Sequence, residues 1–360
     1  MIKAPEYVLA VKPYVPGKPI EELERELGIK GSLKLASNEN PLGPSRLALE
    51  ALKGSLEGLN RYPDGSGYYL KEKLASSLNI SPESLILGNG SNELLDIAVR
   101  TFMKPGDEAV MAAPSFVVYS LSTKIQGGNP IEVPLTNWKH DLEKTAERVT
   151  PRTRMIFIAN PNNPTGTINT DLELEALLDR VPENVLVVLD EAYLEYVGDP
   201  SYADGMKHLR EGRHVLILRT FSKIYGLAGL RIGYGITHPE IALQMERARP
   251  PFNTGTLAQA AALGALGDAE HVRKSIELNN RGKEFLYREF AALGLQYVPT
   301  EANFIYVPVQ NSFALYEALL REGVIIRPMG ISDKGAVRIT IGLPRENERL
   351  IESLKKVLNK

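Results

Sequence analysis

Lys223 stands in the run T-F-S-K-I-Y-G-L-A-G-L-R, Thr220 to Arg231, among small hydroxyl and glycine residues and with Arg231 eight positions after it. An amine in this setting can condense with an aldehyde while the hydroxyls and the guanidinium hold a phosphate on the same molecule. A lone lysine after a serine is more often a solvated surface charge, so the segment gains its weight from three others. The run V-L-V-V-L-D-E-A-Y carries an apolar stretch to Asp190 and on to Tyr193. In an open α/β sheet, ligands collect beyond the carboxyl ends of the strands, and a carboxylate there can pair with a protonated ring nitrogen. Tyr193 then lies within reach of an oxygen on the same ring; alone, a D-E-A-Y reads better as a cap and a packed ring.

The run I-A-N-P-N-N-P-T-G-T follows the apolar Met155–Ala159, and its prolines and Gly166 fix a turn from which Asn163 presents an amide. The run L-G-N-G-S-N-E-L-L leads into a helix starting near Ser91, where backbone amides and small side chains make an anion site. It lacks the third glycine of the dinucleotide fingerprint, and neither G-x-x-x-x-G-K-[ST] nor G-x-S-x-G occurs. A nicotinamide-dependent oxidoreductase is disfavoured on that ground.

These segments need strands ending beside one another. Between about residues 80 and 240 short β-branched runs alternate with amphipathic stretches. Strands are predicted at Leu85–Leu87, Ala109–Ala112, Ile131–Val133, Met155–Ala159, Val185–Leu189, Val215–Leu218 and Ile232–Ile236. Helices are predicted at Asn92–Met103 and Leu172–Arg180. This is the βαβ signature of an α/β fold with a mostly parallel sheet covered by helices on both faces. Long helices are predicted at Thr256–Leu266 and Ala269–Leu293. A smaller α+β unit follows, with strands Gln296–Val298, Phe304–Val307, Val324–Ile326 and Val337–Ile341 and helices Phe313–Glu322 and Arg345–Leu358. Ahead of all this, P-Y-V-P-G-K-P predicts an extended arm, then a short acidic helix at Ile20–Leu27. The expected division is an arm over 1–30, a large domain over 31–265 and a small C-terminal domain over 266–360, packed together rather than tethered.

The ordered set N-P-L-G, G-N-G-S-N-E, N-N-P-T-G, D-E-A-Y, T-F-S-K and G-L-R-I-G resembles the fold-type-I aminotransferases that depend on pyridoxal 5′-phosphate. P-Y-V-P-G-K-P, S-N-E-N-P-L-G-P-S, R-Y-P-D, R-P-P-F-N, G-V-I-I-R-P-M and V-R-I-T-I-G are similar to the histidinol-phosphate branch of that family. The resemblance implies ping-pong transamination between L-histidinol phosphate and 2-oxoglutarate, giving imidazole acetol phosphate and L-glutamate in histidine biosynthesis. It implies that Lys223 bonds the cofactor aldehyde and carries the proton between substrate Cα and C4′ of the cofactor. Asp190 pairs with the pyridine nitrogen, and Tyr193 and Asn163 hold the ring oxygen. Phe116, in A-P-S-F, stacks on the ring where many members carry tyrosine. Gly90, Ser91, Asn92, Thr220, Ser222 and Arg231 bind the phosphate. Tyr62 reaches the cofactor of a partner subunit, which implies a homodimer. Substrate contacts fall to Tyr14, Asn40, Arg327 and Arg338, since a planar guanidinium suits both carboxylate and phosphate. The run R-P-P-F-N-T-G-T departs from the family wording, in which a second asparagine often follows two positions after Asn253.

Two activities of the same fold share most of these residues: aromatic-amino-acid aminotransferases and, more distantly, phosphothreonine-type decarboxylases. A regulatory protein borrowing the fold would carry a basic DNA-binding module, and the first thirty residues are not basic. Composition narrows the rest. With 43% hydrophobic and 24% charged residues and a formal net charge of −2, nothing points to a nucleic-acid partner. No cysteine is present, which removes disulfides and thiolate metal sites, and the five histidines show no ligand spacing, so no metal is expected. No run has the roughly 20 apolar residues of a membrane span, and the N-terminus lacks a signal-peptide core, so a cytoplasmic enzyme is expected.

Overall fold

The computed structural model describes residues 2–14, 17–331 and 334–358. Val15 and Pro16, in the middle of P-Y-V-P-G-K-P, lie outside the described residues, as do Met1, Asn359 and Lys360 at the ends of the expected domain ranges. The large sheet has seven strands: β1 (Leu85–Gly88), β2 (Glu108–Ala113), β3 (Asn129–Pro134), β4 (Thr153–Ala159), β5 (Leu186–Asp190), β6 (Val215–Thr220) and β7 (Gly233–Ile236). Their order is β1-β7-β6-β5-β4-β2-β3. From β3 to β6 every neighbouring pair is parallel, and β7 is antiparallel to both β6 and β1.

The central strands alternate between two cores. Ile156 and Ile158 of β4, Val187 and Leu189 of β5, and Val215 and Ile217 of β6 enter one apolar cluster. Met155, Phe157, Leu186, Val188, Leu216 and Leu218 enter the cluster on the opposite face. Each fully buried side chain of this kind contributes about 1.5–3 kcal/mol, so both faces must be covered and the strands read as continuous apolar runs. Helix α1 (Ser91–Phe102) covers the second face with Leu94, Leu95, Ala98 and Val99, which recur at helical spacing.

A second sheet of three antiparallel strands has the order β9-β10-β8, from β8 (Phe304–Val309), β9 (Arg327–Ile331) and β10 (Lys334–Thr340). Its register sets Arg327 opposite Arg338. Its core joins Leu286 and Phe290 of the long helix Ala269–Ala292 to Leu350, Ile351 and Leu354 of the helix Pro344–Val357. Leu33 and Leu35 pack into the same core, and Leu33–Lys34 pairs in parallel with Val324–Ile325.

The predicted strands of the large sheet all form, and the short helix at Ile20–Leu27 has the expected bounds. Three local expectations fail. Gln296–Val298 is not a strand: Val298 makes one isolated bridge to Tyr306, and the chain turns away where Thr300 N–H donates to the Tyr287 hydroxyl. The run Val324–Ile326 is not one strand, because its first two residues pair with Leu33–Lys34 and the chain then enters β9 of a different sheet. Within the arm, Glu6–Leu9 forms one helical turn. Among the described residues no helix is long and apolar enough to cross a membrane.

Candidate active site

The carboxyl ends of β4, β5 and β6 open onto a cavity of about 260 Å³ that also touches the second sheet through Arg327 and Arg338. Asp190 is the last residue of β5 and is buried. Its Oδ2 accepts the Tyr119 hydroxyl at 2.7 Å and its Oδ1 accepts Ala192 N–H at 3.2 Å. Burial pushes its carboxyl above the usual range, and these two bonds and the nearby Lys223 pull it back. Tyr193, in the turn after β5, is also buried, and its hydroxyl oxygen accepts Asn38 Nδ2 at 2.9 Å.

Lys223 lies in the turn after β6. Its Nζ donates to the Ser37 carbonyl at 3.1 Å and sits 5.6 Å from the centre of the Tyr193 ring. Burial lowers its pKa to about 8, helped by the positive charges of Arg338 and Arg231 and opposed by Glu39 and Asp190. A lysine so placed keeps a sizeable neutral, nucleophilic fraction near neutral pH. The turn is pinned by Gly226, whose φ is +69° and whose missing Cβ would lie 2.1 Å from the Gly43 carbonyl oxygen.

One end of the cavity is built for an anion. Arg231 Nη1 donates to Ser222 Oγ and to the Ala228 carbonyl, both at 3.1 Å, and Thr220 Oγ1 lies 3.0 Å from Ser222 Oγ. Arg231 has a φ of +54°, an uncommon conformation for an arginine that the two bonds hold in place. Ser91 and Asn92, at the start of α1, face the same end. Gly90 stands behind Arg231: a Cβ there would lie 2.4 Å from Nη2 and drive the guanidinium away.

The opposite end carries two arginines. Arg338 Nη1 donates to Asn163 Oδ1 and Nη2 to the Ala36 carbonyl, each at 2.6 Å, while its buried Nε has no partner. Burial lowers the Arg338 pKa. The Arg327 guanidinium lies 5.7 Å from the centre of the Tyr14 ring, and Tyr14 is 55% exposed.

The fold therefore brings Lys223, Asp190, Tyr193, Asn163, Phe116, Ser91, Asn92, Thr220, Ser222, Arg231, Tyr14, Arg327 and Arg338 around one cavity. Gly90 backs Arg231 rather than lining the cavity, and two further sequence candidates lie elsewhere. Tyr62 is 83% exposed and stacks on Phe252 with ring centres 4.9 Å apart. Asn40 is buried away from the cavity, its amide spent on the Ile224 carbonyl at 2.7 Å and Ser275 Oγ at 2.9 Å. Sequence reasoning passed over Tyr119, Asn38 and Asn303. Asn38 has a φ of +57°, and its carbonyl accepts Asn303 Nδ2 at 3.0 Å. The spacing of Tyr119, three residues after Phe116, was the available signal for the first.

The family model for aminotransferase class I and II matches residues 30–354, and the chain belongs to this family. Its full-length relatives carry a more specific name. It is 52% identical to a histidinol-phosphate aminotransferase of Moorella thermoacetica, over 99% of this chain and 93% of that protein. With the histidinol-phosphate aminotransferase of Caldicellulosiruptor saccharolyticus the identity is 47%, over 98% of this chain and 99% of that one. The crystal structure of the Sinorhizobium meliloti histidinol-phosphate aminotransferase in complex with pyridoxal 5′-phosphate superposes with a TM-score of 0.91 at 28% identity, covering 98% of this chain and 96% of that one.

This cavity fits the same cofactor. It offers a carboxylate anchored at its floor, a lysine of lowered pKa, and a cluster of hydroxyls and a guanidinium that any side chain at Gly90 would disrupt.

Proposed function

We propose that this enzyme transfers the amino group of L-histidinol phosphate to 2-oxoglutarate, giving imidazole acetol phosphate and L-glutamate in histidine biosynthesis. The observation that carries the reading is one cavity with Lys223 and Asp190 at its floor and paired arginines at its far end. The kinship with histidinol-phosphate aminotransferases supports the same substrate.

Pyridoxal 5′-phosphate, when bound, withdraws the electron pair left when the Cα–H bond breaks. The protein supplies the rest. Lys223 Nζ would hold the cofactor's aldehyde carbon and, once freed, would accept and return the substrate Cα proton. Its lowered pKa suits both tasks. Asp190 would pair with the cofactor's ring nitrogen. The Tyr193 hydroxyl and the Asn163 amide would hold the ring oxygen, and Phe116 would stack on the ring. Arg231, Ser222, Thr220, Ser91 and Asn92 would hold the cofactor phosphate, with Gly90 leaving room for the guanidinium.

Arg338 takes the carboxylate of glutamate, its unpartnered Nε being a free donor for it. Arg327 takes the phosphate of histidinol phosphate, and Tyr14 closes over the substrate from the arm. The exposed ring of Tyr62 fits a role in the partner's site of a homodimer. We assign the arm to 1–30, the large domain to 31–265 and the small domain to 266–360, and place the enzyme in the cytoplasm.

The test is a single half-reaction on purified, cofactor-loaded enzyme, followed by cofactor absorbance after L-histidinol phosphate, L-glutamate or L-phenylalanine is added. Fast bleaching by the first two and slow bleaching by phenylalanine is expected. Fast bleaching by phenylalanine with none by histidinol phosphate would assign the aromatic activity instead.

A further inference from the structure

Tyr119 is buried in the first turn of helix α2 (Val118–Ile125), and nothing in the reaction above assigns it a part. It touches two groups that the reaction uses. Its hydroxyl donates to Asp190 Oδ2 at 2.7 Å, and its ring meets that of Phe116 edge-on, with centres 5.6 Å apart and planes at 84°. The same ring lies parallel to Phe157, at 5.0 Å and 1°, which fixes the phenol's direction. A phenol removed from water needs a partner, and a carboxylate is the strongest acceptor available to it. Asp190, also removed from water, is pushed by burial toward its neutral form, which could not serve a protonated ring nitrogen. The hydrogen bond from Tyr119 opposes that push.

We infer that Tyr119 is a positioning residue whose hydroxyl holds Asp190 oriented and ionised toward the cofactor's ring nitrogen while its ring backs Phe116. The inference rests on the proposed role of Asp190. It makes the proton affinity of the ring nitrogen a property of the pair rather than of Asp190 alone. The other titratable groups facing the pair are Lys223, from the turn after β6, and Tyr193, from the turn after β5, which Arg338 of β10 faces in turn. All three remain in place in the variants below.

Tyr119→Phe keeps the stacked ring and removes only the donor. Without it Asp190 becomes more basic and draws the proton from the ring nitrogen. Less positive charge then opposes protonation of the nitrogen that joins Lys223 to the cofactor. The pH midpoint of the bound cofactor's visible absorbance is expected to rise by on the order of one pH unit, the size of one hydrogen bond to a charged group. The ring-nitrogen signal of ¹⁵N-labelled cofactor should move toward its unprotonated position, and cofactor affinity should fall by about tenfold. Site-specific 3-fluorotyrosine at position 119, a more acidic phenol, should move the midpoint the opposite way, and it decides the question if Tyr119→Phe fails to fold. An unchanged midpoint and ring-nitrogen signal in the folded variants, even with a lowered melting temperature, overturns the inference. Wild-type enzyme that takes up no cofactor overturns the site assignment instead.

Discussion

The floor and the mouth of this cavity are built by different means. At the floor, Asp190 and Tyr193 accept hydrogen bonds from Tyr119 and Asn38, and Lys223 donates one to the Ser37 carbonyl, all partners far apart in sequence. They sit at or just beyond the ends of parallel strands whose side chains fill both cores. At the mouth, Tyr14 is largely exposed on the arm and turns its ring face to Arg327. A cationic face-on contact of this kind is worth about 0.5–1 kcal/mol where solvent reaches it, less than one charge-assisted hydrogen bond. The difference separates two tasks. Proton transfer needs atoms fixed to within a few tenths of an ångström, whereas admitting and releasing substrate needs a surface that can open.

Substitutions at the two ends should therefore fail in different ways. The largest effect is expected at Lys223: Lys223→Ala should lower kcat by at least about 10⁴-fold while circular dichroism and melting stay close to wild type. Substantial residual turnover would make Lys223 an ordinary buried cation. Asp190→Asn should cost about 10²–10³-fold in kcat, because a neutral amide cannot balance a protonated ring nitrogen. At the mouth, Arg327→Gln should raise KM for histidinol phosphate by about 10–100-fold and leave the kcat of the glutamate half-reaction nearly unchanged. Tyr14→Ala should cost only about 2–5-fold in KM. A Tyr14 effect as large as that of Arg327 would erase the contrast between the two ends.

The lysine offers a test by pH. Its folded pKa of about 8 lies below the ordinary lysine value of 10.5, so the reactive neutral amine dominates above pH 8 and is lost on acidification. The rate at which the cofactor-free protein captures pyridoxal 5′-phosphate should fall about tenfold per pH unit below that point and level off above it. Arg338→Met, which removes the larger of the two neighbouring positive charges acting on Lys223, should move the midpoint upward.

The sheet was readable from the sequence because its central strands, covered on both faces, are uninterrupted runs of Val, Ile and Leu, as in Val185–Leu189. The site residues next to such runs, Asp190 and Thr220, were readable for the same reason. Harder to read were contacts whose partners share no local pattern. The bond from Tyr119 to Asp190 joins residues 71 apart, and that from Asn38 to Tyr193 joins residues 155 apart. Asn40 differs in another way: its motif marks it for a ligand, while its amide donates to the Ile224 carbonyl and Ser275 Oγ in the interior. Val324–Ile326 reads as one strand because a continuous apolar run does not report which sheet a residue will join.

The claim that one cavity joins a fixed chemical floor to a phosphate-selecting mouth can be tested in a single comparison. Single-turnover rates would be measured for L-histidinol phosphate and for L-histidinol, which lacks the phosphate, in wild-type enzyme and in Arg327→Gln. The account predicts a strong wild-type preference for the phosphorylated amine that falls by about 10–100-fold in the variant, with the rate for L-histidinol almost unmoved. A preference that survives the loss of Arg327 intact would contradict it and put phosphate recognition elsewhere in the cavity.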